Sequence, residues 1–243
     1  MERIAVKMAT QLRRKIVMGG VTLTLGALAA CGPKSTPAPP PAPPPPPPPV
    51  VVVIPPRPIP PMGAAAGLYV PLVGEDGVRQ TVNARISTAQ TVWNLRSAYN
   101  VAALNCLKPE HAEILGGYKA FLKSQKKGLA KANTAVDAEF KKKYGASYIR
   151  PREAYMTQVY NYYAYPPTLQ NFCDAALVMA RESVSLKAAE LNAFSGRNLV
   201  MLDSVFENFY RSYEQYSRDL ALWKSKYEPA PAPAATAVAA PGK

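Results

Sequence analysis

Residues 202–227 read LDSVFENFYRSYEQYSRDLALWKSKY, and this stretch decides the fold class. Its large apolar side chains alternate in steps of four and three residues, which places them in one stripe along a helix. We call these eight residues the aromatic seam: Leu202, Phe206, Phe209, Tyr213, Tyr216, Leu220, Trp223 and Tyr227. A seam of this kind buries one face of a helix against neighbouring helices. It therefore predicts an all-α domain.

The occupants of the seam leave two further interpretations open. Most are aromatic, and a tyrosine hydroxyl on a buried stripe needs a hydrogen-bond partner or access to water. The stripe could therefore stack sugar rings, or it could form the interface of a helical subunit that associates with itself. The sequence favours the core of a helical bundle over both.

The residues before the seam predict the other helices of an antiparallel bundle of about four to five. Ser87 followed by Gln90 is a capping box, which starts a first helix over 88–106. Pro109 suits the first turn of a long second helix over 109–144, with a weak point where two glycines occur at 116 and 117.

A third and a fourth helical segment follow. The third begins near Arg150 and ends at the two prolines 166 and 167, since proline interrupts a helix. The fourth runs to Phe194, where Ser195 and Gly196 predict a break before the last helix. A short β-hairpin is expected at the start of the domain, because an Asp-Gly turn at 76–77 lies between two apolar runs.

The size and composition bound the function. Residues 62–228 are enough for one domain with its own core. A single histidine and three cysteines exclude a histidine-rich metal site and a zinc ribbon. His111 is expected to be exposed in the first turn of the second helix, and no nucleophile or pair of carboxylates accompanies it. The sequence therefore predicts no catalytic residue, no metal and no cofactor.

The N-terminus has the layout of a secretory signal peptide over residues 1–30. An uncharged stretch over 16–30 follows a basic segment, and it is too short to cross a bilayer comfortably. The basic residues are Arg3, Lys7, Arg13, Arg14 and Lys15.

The end of this signal, Leu28-Ala29-Ala30-Cys31, resembles the lipobox of bacterial lipoproteins. The resemblance implies that the chain is cut before Cys31 and that this cysteine is acylated, which anchors the protein to a membrane. Gly32 resembles the pattern of lipoproteins sent to the outer membrane, so we expect the mature protein there, facing the periplasm. Cleavage by ordinary signal peptidase, which would release a soluble protein, is the alternative.

Proline dominates the chain on both sides of the domain. Seventeen of the 26 prolines lie within 33–61, and proline permits neither a helix nor a central strand. Residues 31–61 are therefore expected to form an extended, disordered arm of polyproline type. Residues 229–243 are mostly alanine and proline and predict a second disordered spacer.

Two cysteines remain inside the domain, Cys106 and Cys173. Both lie on apolar helical faces of an exported chain, and an oxidising compartment favours their pairing. We predict a disulfide between them, with two buried thiols as the alternative.

Net charge supplies the clearest functional signal. Without residues 1–30 the chain holds 24 Lys and Arg against 15 Asp and Glu. We call five of these residues the lysine surface: Lys119, Lys123, Lys126, Lys127 and Lys131. On one continuous helix they would form a ridge suited to anionic polymers or lipid head groups. In this compartment a nucleic-acid partner is not expected.

A second candidate surface is aromatic. Five tyrosines fall close together before the two prolines: Tyr155, Tyr160, Tyr162, Tyr163 and Tyr165. Tyrosine is common at protein interfaces, so the cluster could bind a partner in the envelope, or it could cover the core.

These signals together predict a lipid-anchored envelope protein with a non-catalytic binding or scaffolding role. Its expected partners are the membrane, through the anchor, and peptidoglycan, another anionic polymer or proteins of the envelope. An enzyme, or a factor that assists one, acting on cell-wall polymer is the runner-up.

Overall fold

Six α-helices make up most of residues 53–228, the part of the chain that the computed structural model describes. They are α1 (Thr88–Asn105), α2 (Glu113–Ser124), α3 (Lys126–Tyr144), α4 (Ile149–Tyr163), α5 (Leu169–Ser183) and α6 (Leu191–Tyr227). The all-α prediction is confirmed, although the helices number six here rather than four to five. The predicted signal peptide, Cys31, the arm up to residue 52 and the tail over 229–243 lie outside the described residues.

Helix α1 is the central element, because it packs against each of the other five helices. Its sequence explains this position: Arg96 is its one charged residue, and Leu95, Ala98 and Ala102 are fully buried. A helix that is apolar on most sides belongs in the middle of a domain. The predicted capping box is confirmed, since Gln90 N donates to Ser87 Oγ at 3.1 Å and Ser87 N to Gln90 Oε1 at 3.1 Å.

The prediction of one long helix over 109–144 is wrong. The chain breaks at Gln125, between α2 and α3, and not at the two glycines. The Gln125 side chain is buried, and its Nε2 donates to the Leu186 carbonyl at 3.1 Å. A hydrogen bond to a segment 61 residues away fixes this break, so no local propensity could reveal it.

The two glycines of α2 have opposite surroundings. A Cβ at Gly117 would lie 2.4 Å from the Tyr99 hydroxyl and 3.4 Å from the Ala180 carbonyl oxygen, whereas a Cβ at Gly116 would meet nothing within 4 Å. Gly117 therefore permits the close approach of α2 to α1 and α5.

A matched pair of substitutions tests this contrast. We expect Gly116→Ala to stabilise the domain by up to about 1 kcal/mol, because alanine is the better helix former. Gly117→Ala should destabilise it by about 1–3 kcal/mol through overpacking. Chemical unfolding of both variants measures the difference, and equal effects would contradict the close packing at Gly117.

The predicted break at Ser195 and Gly196 is also wrong, because α6 runs through it for 37 residues. A helix of this length spans about 55 Å. Helix α5 instead ends at Ser183, and α6 begins after a short turn in which the Lys187 N–H donates to the Glu190 carboxylate. Ser195 is fully buried, so the packing of the core holds this part of α6 helical.

The two halves of the aromatic seam are covered by different parts of the chain. Leu202 and Phe206 are buried in the core between helices. Phe209 and Tyr213 instead form a second cluster with Ala64 and Leu68. We call residues 53–72 the strap, because this segment contacts α6 through these residues.

The polar contacts of the strap agree with this placement. The Tyr213 hydroxyl donates to the Ala65 carbonyl at 2.8 Å and accepts from the Leu68 N–H at 2.9 Å. Further along α6, Trp223 Nε1 donates to the Pro55 carbonyl at 2.8 Å. Residues 55–61, expected to belong to the free arm, thus lie within a segment that binds the domain.

Around the predicted hairpin turn, one isolated antiparallel bridge joins Val73 to Arg79. The Gln80 N–H donates to the Leu72 carbonyl, and Gly77 adopts a φ of 77°, as such a turn requires. No strand longer than this bridge occurs within residues 53–228, so the fuller hairpin stays a prediction.

The predicted disulfide is confirmed: Cys106 at the end of α1 is bonded to Cys173 in α5. Both residues are buried, and the bond closes 67 residues of chain into a loop.

Candidate functional surfaces

All five residues of the lysine surface are exposed. Lys119 and Lys123 lie on α2 and the other three on α3, so the break at Gln125 divides the predicted continuous ridge into two adjoining groups. Three further exposed lysines extend the basic character to the end of α3: Lys141, Lys142 and Lys143. The exposure of the five lysines agrees with the prediction, and their alignment in one ridge stays a prediction.

The acidic residues of these two helices do not neutralise the lysines. Glu113 of α2 is bound by Arg181, and Asp137 of α3 by Arg152. Glu139, the third acidic residue of these helices, forms no ion pair with a lysine of the described residues. None of the eight lysines of α2 and α3 forms an ion pair with another residue of the described segment 53–228. The charge of this surface is therefore available to an external anion.

The tyrosine cluster is mostly part of the core. Tyr163 is fully buried, and the other four are half-buried. Tyr162 stacks on Phe206 of the aromatic seam with ring centroids 4.2 Å apart, and Tyr165 packs on Phe209. The structure therefore places these rings against α6, which favours the core interpretation over a partner surface.

The expectation of an exposed His111 is wrong. The imidazole is buried, and its Nε2 lies 2.8 Å from Asp174 Oδ1 of α5. His111 belongs to a short 3₁₀ turn that precedes α2, and this turn packs against α5. Its contact with the Asp174 carboxylate joins this turn to α5, and no serine, threonine or free thiol hydrogen-bonds to it among the described residues.

A polar network inside the domain was not expected from the sequence. The Asn94 amide on α1 donates to the Tyr155 hydroxyl at 2.7 Å and to Asn83 Oδ1 at 2.8 Å. The Asn83 amide in turn donates to the Tyr163 hydroxyl and to Asp203 Oδ1, both at 2.7 Å. These five residues connect α1, α4 and α6 with the loop before α1.

Burial raises the pKa of Asp203 in this network to about 7, although hydrogen bonds from Asn83 and Tyr162 oppose the shift. Four residues further along α6, hydrogen bonding to Arg79 lowers the pKa of Glu207. Two neighbouring carboxyls with pKa values shifted apart are a pattern of acid–base catalysis.

The surroundings of Asp203 and Glu207 indicate that the two carboxyls stabilise the fold. Glu207 is already bound by Arg79 and Arg211. The cavity that Asp203 and Glu207 share measures about 160 Å³, which is below the range of about 300–1,000 Å³ for ligand pockets. Arg79 is buried and also binds Glu214 and the Pro71 carbonyl, so the cluster attaches the strap to α6.

The shifted pKa of Asp203 predicts how stability depends on pH. Its pKa in the folded chain lies above the ordinary value of 3.8, so between these values the folded chain binds a proton that the unfolded chain has released. This contribution to stability is complete below about pH 4 and is lost as the pH rises through about 7. Asp203→Asn cannot titrate and should show a smaller fall in Tm between pH 5 and pH 8.

Asp219→Asn is the matched control, because Asp219 is exposed on the same helix. We expect the control to follow the wild-type Tm curve over this pH range. Wild-type and Asp203→Asn curves that run parallel would contradict the proposed titration.

A cavity of about 640 Å³ lies between the loop before α1, the end of α3 and the start of α4. Phe140, Tyr144 and Tyr155 supply its aromatic lining. Glu139 is the one carboxylate that lines it, and Lys143 continues the basic character of α3 to its edge. The cleft thus lacks the paired carboxylates that hydrolysis of a glycan by the usual mechanism requires.

The described residues contain neither a candidate metal site nor a candidate membrane-spanning helix. No group of three or more metal-ligating side chains occurs among residues 53–228. Within the same range, no helix combines the length and apolar character needed to cross a bilayer.

Comparison with known proteins adds no assignment. No protein family, no curated protein and no solved structure matches the chain.

Proposed function

We propose that this protein is a lipid-anchored, non-catalytic tether of the bacterial cell envelope, and that its lysine surface binds an anionic cell-wall polymer. One observation carries the proposal: the lysines of α2 and α3 are exposed and free of ion pairs within the described residues, whereas Glu113 and Asp137 are engaged by arginines. Like charges held close together repel one another. A surface that keeps them unneutralised is suited to an anionic partner.

The sequence outside the described residues supports the membrane end of the tether. The lipobox-like segment at 28–31 favours acylation of Cys31, and Gly32 favours the outer membrane. A lipid anchor confines the domain near the membrane, and the proline-rich residues after it provide reach. The anchor and the lysine surface would then connect the membrane to the polymer layer beside it.

Cosedimentation of the chain with purified cell-wall sacculi tests this proposal. To keep the chain off membranes, the experiment uses residues 31–243 with Cys31→Ser, because the apolar residues 16–30 would stay attached if the cysteine were changed in the uncleaved chain. We expect it to pellet with sacculi at low salt and to be released as salt rises, because exposed charges are screened within about 10 Å at 0.1 M.

Vesicles with and without anionic lipid form the second half of the experiment. Binding to anionic vesicles with no binding to sacculi would replace the polymer by a lipid surface as the partner. No binding to either at low salt would overturn the role of the lysine surface.

A further inference from the structure

The last turns of α6 extend beyond the helical core. No residue of α6 after Tyr213 is buried. We call residues 214–227 the α6 tip. Trp223 is half-buried on this tip, and its described contacts include the strap and the neighbouring ring of Tyr227. The tip is therefore available to bind a segment of chain rather than to pack against a helix.

Trp223 contacts the strap through a backbone carbonyl and through a positively charged side chain. Trp223 Nε1 donates to the Pro55 carbonyl at 2.8 Å, and the Arg57 guanidinium carbon lies 5.8 Å from the centre of the Trp223 ring. By contrast, Val53 is 81% exposed and Ile59 is 82% exposed. Docking of residues 53–59 on Trp223 therefore does not come from burial of their aliphatic side chains, in contrast to Ala64 and Leu68 further along the strap.

This is the chemistry by which proteins recognise proline-rich segments. Proline has no N–H, so a polyproline segment offers its carbonyls as acceptors and its rings as apolar surface. An aromatic groove with an indole N–H donor suits both, and an arginine between the prolines adds an attraction to the ring face. The sequence at the contact, Pro55-Pro56-Arg57-Pro58, combines these features.

We propose that the α6 tip is a binding site for proline-rich segments that carry a cation, and that residues 55–58 of the same chain occupy it. The described contacts at Trp223 are one hydrogen bond and one cation–π contact, so the site binds such a segment weakly when it is supplied as a separate molecule. A segment within the same chain is present at an effective concentration in the millimolar range, which keeps the site occupied.

Occupation of this site would shorten the length of chain between the lipid anchor and the domain. If the chain is anchored at Cys31, the free spacer ends near residue 54 rather than at residue 61. Occupation of the site shortens the reach of the domain, and a competing proline-rich segment would lengthen it. This consequence rests on the proposed function, whereas the binding site itself does not.

The test uses a labelled peptide with the sequence of residues 53–60, VIPPRPIP, and residues 31–243 with Cys31→Ser. Fluorescence anisotropy measures binding to three versions of the chain. The first has its strap intact, the second carries Pro55→Ser, Pro56→Ser, Arg57→Ser and Pro58→Ser, and the third adds Trp223→Ala to these. We expect the second to bind the peptide at least tenfold more tightly than the other two.

Two controls separate recognition from loss of structure. Leu222→Ala in place of Trp223→Ala changes an exposed neighbour on the same tip, and it should leave the peptide affinity unchanged. Salt-sensitive binding to sacculi, where it occurs, should persist in all versions, so that failure of the site and failure of the tether are distinguishable. Circular dichroism confirms that each version keeps its helices.

Two results would overturn the proposal. Equal peptide affinity in the first and second versions would show that the strap does not occupy a peptide site. Light scattering that finds a dimer, which dissociates on Trp223→Ala, would assign the site to the strap of a second copy.

Discussion

Replacing the five residues of the lysine surface by glutamine is expected to weaken binding to cell-wall sacculi by roughly 30-fold, since five exposed charge contacts of about 0.4 kcal/mol each sum to about 2 kcal/mol. The variant combines changes at Lys119, Lys123, Lys126, Lys127 and Lys131. Glutamine has nearly the helix propensity of lysine and a slightly shorter side chain, so the change removes charge with little effect on the helices. Affinity is measured by cosedimentation over a series of salt concentrations.

Measuring affinity over a salt series tests the role of charge more directly than a single affinity does. Wild-type binding should weaken steadily as salt rises, because the contacts lie on the surface and are screened. The variant should show a flatter dependence, since it has fewer charges to screen. We expect its Tm to equal or slightly exceed the wild-type value, because the change removes repulsion between neighbouring lysines.

A control with the same loss of charge excludes an effect of net charge alone. Helix α6 carries five exposed basic residues: Arg197, Arg211, Arg218, Lys224 and Lys226. Their joint replacement by glutamine should leave most of the binding intact. If both variants lose binding equally, the protein responds to its overall charge, and the lysine surface has no special part.

The sequence predicted those features that depend on residues close together along the chain. The 4-3 spacing of the seam predicted α6, and Ser87 with Gln90 predicted the start of α1; both signals come from one turn or from one face of a helix. Exposure of the lysines followed from charge, because an unpaired ammonium group is rarely buried.

The features that the sequence missed depend on contacts between distant residues. The break at Gln125 relies on its hydrogen bond to Leu186, and the burial of His111 relies on Asp174 in α5. Arg79 gave no local signal, since its partners Glu207 and Glu214 lie more than a hundred residues away. Neither spacing nor composition contains this information.

The aromatic seam correctly predicted that one face of α6 is buried, but it did not predict that the strap covers part of that face. The seam predicted a buried stripe along the whole of α6, and the stripe is indeed covered from Leu202 to Tyr213. From Phe209 onward, however, the cover is the strap together with Tyr165, and neither belongs to an α-helix. A hydrophobic stripe in a sequence indicates that one face of the helix is buried, but it does not indicate which segment of the chain covers that face.

Removing the disulfide is the second change with a large expected effect. The double variant Cys106→Ala, Cys173→Ala should lose about 4 kcal/mol of stability, because the bond closes a loop of 67 residues in the unfolded chain. For a domain of this size, each kcal/mol corresponds to a change in Tm of about 2–4 °C, so a fall of roughly 8–16 °C is expected. Alanine is chosen because a serine hydroxyl at a buried position would need a hydrogen-bond partner.

Reductant provides the matched measurement. Dithiothreitol should lower the Tm of the wild type by a similar amount and leave the double variant unchanged. A wild-type Tm that does not respond to reductant would mean that the thiols are not paired in the isolated protein.

The position of the bond also predicts what should stay the same. Cys106 directly follows α1. Its N–H donates to the Ala102 carbonyl at 2.9 Å, so a hydrogen bond already holds it to the end of the helix. The core between α1 and α5 also includes the buried residues Tyr99 and Ala180, so we expect the two helices to stay packed without the bond. Because the bond acts mainly by restricting the unfolded chain, the double variant should keep its helical circular dichroism and its binding to sacculi at 25 °C. Loss of both at 25 °C would show instead that the bond holds α1 and α5 together in the folded domain.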